Sequence, residues 1–442
     1  MHRLRNLFEA LRSSLWFIPM LLLSGAVVLA VGLVEVDSNI SRERLADWPR
    51  LFGAGAEGSR GLLSAIASSM ITVAGVTFSI TVVALTLASG QYTSRILRNF
   101  MRDRANQVVL GVFVGVFAYC LVVLRTIRGG DEGAFVPSVA VLVAMLLAFA
   151  AIGFLIFFIH HIAASIQATS IIEAVAGETL DAVDRLFPAE IGGGAEPVGE
   201  ATEAGLTALT WVVIPSRKTG YVRGVDADAL FDVARAQDVV VRMETRLGEF
   251  VIEGSPLVSV AGNQPDEESI LRLNAAYAVG RDRTVQQDPA YGIRQLVDIA
   301  LKALSPGIND TTTAINCVDY LGAILALLAA RPVIAPIRSD GNQLRLITRG
   351  PTFAGLLAEA LDQIRQNAEG NVAVLTRLLQ ILEIVATRTT DVHRRLVLRH
   401  QAELVAETAE RSVPAAHDRA AIRATRGQVI PLPDEIHRGN AS

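Results

Sequence analysis

Residues 61–94 read GLLSAIASSMITVAGVTFSITVVALTLASGQYTS, and this stretch decides the class of fold. No charged side chain interrupts it between Gly61 and Ser94. An α-helix of this length, rising about 1.5 Å per residue, would be about 50 Å long, whereas the hydrocarbon core of a bilayer is about 30 Å thick. The stretch therefore predicts a membrane-spanning helix that tilts, breaks or extends beyond the bilayer.

Small and hydroxyl side chains repeat along this stretch with a period of seven residues. On a helix this spacing places them on one face, with Val82 filling a gap between them. Two interpretations remain open: the face packs closely against another helix, with hydroxyls bonding across the contact, or it lines a polar path for an ion or small solute. The members of this hydroxyl stripe are Ser68, Thr72, Gly75, Ser79, Thr86, Ser89 and Thr93.

Three further apolar segments, at about residues 15–34, 107–127 and 135–159, predict additional spans. The first follows several arginines, but it is long for the apolar region of a signal peptide and no small-residue cleavage site closes it. We therefore interpret it as an uncleaved first span. The third span contains Gly111 and Gly115 at the spacing that lets two helices approach closely, which predicts helix packing there.

The composition supports a division into a membrane part and a soluble part. Of the 442 residues, 51% are hydrophobic and 19% are charged, whereas a soluble protein carries about 25% charged residues. The apolar excess lies before about residue 172. A net charge of −4 without a large basic stretch argues against nucleic-acid binding. Cys120 and Cys317 lie far apart, and the first falls within an apolar run, so a disulfide framework is not expected.

The remainder of the chain predicts a soluble α+β domain. An amphipathic helix and a glycine-rich linker lead into short alternating segments with turns, which are typical of strands. Within these, residues 248–260 are similar to a turn of the biotinyl/lipoyl barrel-sandwich, but no lysine occupies a lipoylation position. A helical pattern follows, with Gln343–Ile347 as one isolated strand. The predicted parts are 1–172 (membrane), 173–205 (helix and linker), 206–262 (strand-rich module), 263–426 (helical) and 427–442 (frayed tail).

Polar residues are densest between Tyr291 and Thr311. On a helix beginning at Pro289, one face carries Tyr291, Arg294, Asp298 and Lys302. A second helix begins after Ser305-Pro-Gly, where Asn309 or Asp310 can cap it. Its first backbone N–H groups and the hydroxyls from Thr311 onward then meet at a terminus that can hold an anion. This constellation is either an ion-pair face with a capped turn, or a ligand pocket or subunit contact.

Four segments carry a resemblance to a known family. They are Thr77-Phe-Ser-Ile-Thr-Val-Val-Ala-Leu, Phe158-Ile-His-His-Ile-Ala, Arg294-Gln-Leu-Val-Asp-Ile-Ala and Ala303-Leu-Ser-Pro-Gly-Ile-Asn-Asp. From about Leu11 to Val405, the chain resembles the domain-of-unknown-function 2254 family of bacterial predicted membrane proteins. It departs from the family at Thr311, where a proline is expected. The resemblance implies an inner-membrane protein with a cytosolic domain, and it brings no catalytic residues, substrate or cofactor.

Motifs for catalysis, cofactors and metals give no positive indication. Gly53–Gly58 matches G-x-G-x-x-G, but no strand precedes it, so a dinucleotide site is not predicted. P-loop, H-E-x-x-H, G-x-S-x-G and C-x-x-C patterns do not occur. His160 and His161 are adjacent on a helix and point about 100° apart, so we interpret them as interfacial residues and not as a chelate. We predict no catalytic residue, no metal and no cofactor, and we do not expect an enzyme.

Two functional hypotheses follow. The first is an oligomeric channel or transporter for an ion or small solute, with a cytosolic regulatory domain. The second is a membrane-anchored sensor or scaffold whose cytosolic domain binds a ligand or partner protein. Arginines before the first span and between the second and third spans favour cytoplasmic termini in a bacterial inner membrane. The expected partners are the lipid bilayer, further copies of the chain, and a small ion or anionic ligand.

Overall fold

The computed structural model describes residues 16–39, 55–91, 103–129, 135–187, 209–285, 288–331, 337–341 and 343–428. By its internal contacts, the chain divides into two compact units, Met1–Ser170 and Ile171–Ser442. Thr93, most of the predicted linker and residues 429–442 of the predicted tail lie outside the described residues, as does the side chain of Ser89.

Four long helices form the first unit: α1 (Phe17–Asn39), α2 (Ala56–Gln91), α3 (Arg104–Thr126) and α4 (Ser138–Ser165). Each is long and apolar enough to cross a membrane, which confirms the predicted class of fold. The helix α2 runs without a break for 36 residues, or about 54 Å. It begins before the uncharged stretch, and Arg60 in this earlier part donates a hydrogen bond to the backbone carbonyl of Ile127 at 2.9 Å.

The helix α3 lies at the centre of this unit and packs against α1, α2 and α4. Its glycines allow the approach to α1. A Cβ on Gly111 would lie 2.9 Å from the Cα of Pro19, and a Cβ on Gly115 would lie 3.4 Å from the Cβ of Ala26. Small residues at such positions let two backbones approach closely, and this close packing replaces the hydrophobic drive that is missing between helices in lipid.

Two polar contacts join the helix ends. At one end, the buried carboxylate of Asp37 accepts hydrogen bonds from the backbone N–H groups of Val139, at 3.2 Å, and Ala140, at 2.9 Å. The hydroxyl of Tyr119 donates to the carbonyl of Ala140 at 2.8 Å. At the other end, Asp103 caps α3 and pairs with His161 of α4. The first contact supplies acceptors to N–H groups that the start of a helix leaves unsatisfied.

The second unit combines two sheets with helices. It begins with α5 (Ala168–Leu186), most of which lies in this unit. A five-stranded sheet has the order β1-β5-β3-β8-β7, and a three-stranded sheet has the order β4-β2-β6. The strands are β1 (Trp211–Pro215), β2 (Gly220–Val225), β3 (Val240–Met243), β4 (Phe250–Val251), β5 (Pro256–Ala261), β6 (Tyr277–Gly280), β7 (Ile337–Asp340) and β8 (Gln343–Ile347).

The predicted boundary between a strand-rich module and a helical domain at residue 262 does not match this pairing. The strand β6 lies beyond that boundary and pairs antiparallel with β2. Gln343–Ile347, predicted as an isolated strand, pairs parallel with β3 and antiparallel with β7. Strand partners come from distant parts of the chain, so a local alternation of side chains identifies a strand without identifying its neighbours.

Helices complete the second unit. They are α6 (Ala227–Ala236), α7 (Glu267–Ala275), α8 (Pro289–Ala303), α9 (Thr311–Ala330), α10 (Phe353–Asn367), α11 (Val372–Ala386), α12 (Val392–Ser412) and α13 (Ala416–Gln428). The helix α9 is also long and apolar enough to span a membrane. However, it packs against α8, α10 and α11, and Asp319 on it pairs with Arg377 of α11. Its apolar surface is therefore used as the core of the helical layer.

Close packing of α1 against α3 predicts a destabilising substitution. We expect Gly111→Leu to lower the free energy of unfolding by about 1–3 kcal/mol, because the new side chain meets the backbone of Pro19. Gly153→Leu in α4 is the matched control, since a Cβ there has no neighbour within 4 Å. Thermal unfolding of both variants in detergent measures the difference, and equal stability would show that α1 does not pack on α3 at this glycine.

A cap at the start of α9 predicts a pH-dependent contribution to stability. The carboxylate of Asp310 accepts hydrogen bonds from the hydroxyl of Thr313, at 2.6 Å, and from its backbone N–H, at 3.0 Å, and these bonds lower the pKa of Asp310. The contribution is therefore present at neutral pH and is lost as the pH falls through that lowered pKa. We expect Asp310→Ala to destabilise α9 by about 1 kcal/mol at neutral pH.

Hydrogen exchange of the first amides of α9 in the full-length protein measures this effect. Asp310→Asn is the control, because an amide oxygen still accepts the hydrogen bonds but does not titrate. It should retain most of the protection and lose the pH dependence. Protection that is the same in wild type and Asp310→Ala would contradict the assignment of Asp310 as the cap.

Candidate functional site

The helix α2 presents two different faces. One face is buried against the rest of the first unit and consists of Leu63, Ala67, Met70, Ala74, Thr77 and Ala84. The hydroxyl stripe lies on another side of the helix, and the members whose side chains are described, Ser68, Thr72, Gly75, Ser79 and Thr86, are all exposed. A Cβ on Gly75 would have no neighbour within 4 Å. In the described part of the chain, the stripe therefore does not pack against another helix of the same unit.

Three hydroxyls of the stripe already use their protons. Thr72 donates to the carbonyl of Ser68 at 2.8 Å, Ser79 to that of Gly75 at 2.9 Å, and Thr86 to that of Val82 at 2.8 Å. Such bonds to the preceding turn satisfy the donor without any partner outside the helix. The hydroxyl oxygens keep lone pairs that can accept a hydrogen bond or contact a cation. The stripe is thus a row of neutral acceptors along one face of α2.

The predicted constellation in the second unit forms a set of ion pairs. Arg294 pairs with Asp298 at 2.9 Å, and Arg283 pairs with the buried Asp288 at 2.8 Å. The guanidinium of Arg283 also lies over the ring of Tyr291, 5.2 Å from its centroid. Arg294 therefore has a carboxylate partner on α8, and Arg283 has one immediately before α8. This pairing matches an ion-pair face more closely than an open ligand pocket.

Contacts from distant segments complete this cluster. A Cβ on Gly248 would collide with the carboxylate of Asp288, so the turn before β4 fits closely over the Arg283–Asp288 pair. Burial raises the pKa of Glu359 on α10, and Arg283 and Arg294 partly oppose that rise. Sequence reasoning missed Gly248 and Glu359 here, because neither is close to the constellation along the chain.

At the end of the constellation, one of the two predicted caps is used. Asp310, and not Asn309, caps α9, and Asn309 adopts a left-handed conformation with φ of 50°. The carboxylate of Asp310 thus lies at the terminus where an anion was expected, and a second negative group there would be repelled. The hydroxyl of Thr311 accepts a hydrogen bond from the side chain of Asn371 at 3.0 Å. Lys302 is exposed and is the cation of this group that remains accessible to solvent.

The two adjacent histidines have different surroundings. His161 pairs with Asp103 and stacks on Phe157, with ring centroids 5.5 Å apart, whereas His160 is exposed. This pairing explains why a histidine is held at the end of α4, since it joins that end to the start of α3. Among the residues that the structure describes, no three His, Cys, Asp or Glu side chains come together as a metal site would require.

Comparison with known proteins agrees with the architecture. The family described as predicted membrane protein (DUF2254) matches residues 12–384, as the resemblance predicted. Uncharacterised proteins of Mycobacterium bovis and Mycobacterium tuberculosis are each 34% identical over 433 residues, covering 96% of this chain and 81% of each relative. No solved structure matches the chain. With its several apolar helices, the chain is a multi-pass membrane protein that belongs to the DUF2254 family.

Proposed function

We propose that the protein is an oligomeric channel or transporter for an ion or small solute, with a path that the hydroxyl stripe of α2 lines. The observation that carries the proposal is the exposure of this stripe within the single chain. A lipid-facing surface gains nothing from a row of hydroxyls, so a second copy or an aqueous path is the more suitable environment for it.

A path through one chain is not supported by the packing of the first unit. Its centre is filled by side chains of α3 and α4 that have no exposed surface, such as Phe113, Tyr119 and Ala144. Protein interiors packed in this way leave no voids for a hydrated ion. A path formed between copies needs no such space, because each copy contributes only one face of α2. We therefore place the path on the axis of a homo-oligomer.

The chemistry of the stripe favours a solute that approaches hydroxyl oxygens. The hydroxyl protons of Thr72, Ser79 and Thr86 are held by backbone carbonyls, so their oxygens act as acceptors. Neutral oxygens suit a weakly held cation or a small solute with N–H or O–H groups, and weak contacts at several levels permit passage. In the proposed path, rings of such oxygens replace the hydration shell of the ion.

Localisation and regulation complete the proposal. We place the protein in a bacterial inner membrane with both termini in the cytoplasm, because the arginine distribution favours that orientation. The second unit is then cytosolic and regulates the path. The alternative, a sensor or scaffold without transport, draws less support, because Arg294 and Arg283 are already paired with carboxylates and the start of α9 is occupied by its own cap.

Flux through liposomes tests the proposed path. We expect the triple variant Thr72→Leu, Ser79→Leu and Thr86→Leu to reduce the efflux of potassium from protein-loaded liposomes at least about tenfold, because three levels of oxygen acceptors are removed. Chloride efflux is measured in parallel. Ile80→Leu is the matched control, since Ile80 is exposed on the same helix outside the stripe. Unchanged efflux in a correctly assembled triple variant would remove the stripe from the path.

Cross-linking tests whether the stripes of different copies face each other. We expect Ser79→Cys to be joined between copies by a short bismaleimide, and Ile80→Cys to react as single chains. The native Cys120 and Cys317 are both buried, so they give little background. Denaturing electrophoresis after membrane-phase labelling measures the products. A protein that stays monomeric, or that cross-links equally at both positions, would contradict the proposed axis.

A further inference from the structure

A groove separate from the hydroxyl stripe opens between α1, α2 and α3. Its volume is about 340 Å³, which lies in the range of sites for small molecules. Most of its wall is apolar and comes from side chains such as Met20, Leu23, Phe78, Leu110 and Val114. The groove lies on the side of α2 that faces α1 and α3, and it belongs entirely to the first unit.

Two polar side chains on the wall of this groove have unused hydrogen-bonding groups. Asn106 is 5% exposed, and in the described part of the chain neither its amide oxygen nor its amide nitrogen has a hydrogen-bond partner. Thr77 is 2% exposed, and its hydroxyl is without a partner in the same sense. Buried polar groups are almost always hydrogen-bonded, and each one left unsatisfied costs about 1–3 kcal/mol.

A second hydroxyl on the wall of the groove differs from that of Thr77. Thr81 lines the same groove, but its hydroxyl donates to the backbone carbonyl of Thr77 at 2.8 Å. The hydroxyls of Thr72 and Ser79 bond to the preceding turn in the same way. The hydroxyl of Thr77 can therefore still bond to a ligand. One turn away, Thr81 instead satisfies its hydroxyl with a backbone carbonyl of the same helix.

We propose that this groove binds a neutral alkyl amphiphile from the bilayer, whose hydroxyl, carbonyl or amide group hydrogen-bonds to Asn106 and Thr77. The apolar wall accommodates the alkyl chain. Asn106 provides a donor and an acceptor, and Thr77 provides a hydroxyl that can act as either, so a hydroxyl-bearing ligand satisfies both. No Asp, Glu, Lys or Arg is among the described residues that line the groove, so a charged group would be buried there without a partner.

The position of Asn106 fits an occupant that enters from the membrane. It lies in the first turn of α3, close along the chain to Asp103, whose pair with His161 marks one end of the helix bundle. A lipid places its polar group near such an end and its chain between the helices. The groove borders the stripe at Val82, but none of the small and hydroxyl members of the stripe with described side chains lines it, so this proposal is tested separately from the transport proposal.

Photolabelling tests the proposal on the full-length protein in lipid nanodiscs. The probe is a monoacylglycerol that carries a diazirine in its alkyl chain, and labelled peptides are identified by mass spectrometry. We expect labels on the groove segments around Phe78 and Leu110, and competition by unlabelled monoacylglycerol. Labels spread evenly over the lipid-facing sides of α1 and α4 would overturn a specific site. Equal competition by a plain alkane, or by the anion of a fatty acid, would contradict the inference that the groove selects a neutral hydrogen-bonding group.

Substitutions separate hydrogen bonding from packing. Asn106→Leu should weaken labelling about tenfold, while thermal stability without probe stays equal or rises because an unsatisfied amide is removed. Thr81→Val is the matched control and should label like wild type, since its hydroxyl is already bonded within α2. Unchanged labelling of Asn106→Leu would overturn the role of the amide. If that variant does not fold, Leu85→Trp narrows the groove instead, and labelling that persists in it would overturn the site.

Discussion

The first unit depends on one constraint: backbone N–H groups at the buried start of a helix must find an acceptor in the protein itself. The carboxylate of Asp37, at the end of α1, meets this need for the first turn of α4. The hydroxyl of Tyr119 bonds to the same turn from α3. Three helices are thereby fixed at one end by contacts to a single turn, and leaving such donors unsatisfied would cost about 1–3 kcal/mol each.

With the helix ends fixed, the packing of the helix sides determines which surfaces of α2 are buried and which are exposed. The glycines of α3 bring its backbone close to α1, and α2 packs through a row of small residues that includes Ala67 and Ala74. This arrangement leaves the hydroxyl stripe of α2 on the outside of the unit. It also creates a groove in which Asn106 and Thr77 are buried without partners in the described chain. The same packing thus produces both surfaces to which we assign a function.

The second unit shows how a polar constellation can be structural. Tyr291, Arg294 and Asp298 share one face of α8, as their spacing requires, but Arg294 is paired within the helix and Arg283 interacts with both Asp288 and Tyr291. The turn at Gly248 closes over these groups. Charges that neutralise one another in this way hold elements together and leave little capacity for an external anion. For this reason we propose transport by the first unit and not ligand binding at this constellation.

The sequence by itself determined the apolar helices, the period of the stripe, the close spacing of Gly111 and Gly115, and the family. Hydropathy and helical period are properties of consecutive residues, so no knowledge of distant contacts is needed to recognise them. Only the tertiary structure decided which way the stripe faces, that Asp37 serves α4, that Gln343–Ile347 joins β3, and that Asn106 has no partner among the described residues. Each of these depends on residues far apart in the chain, and their mutual position follows from packing and not from local pattern.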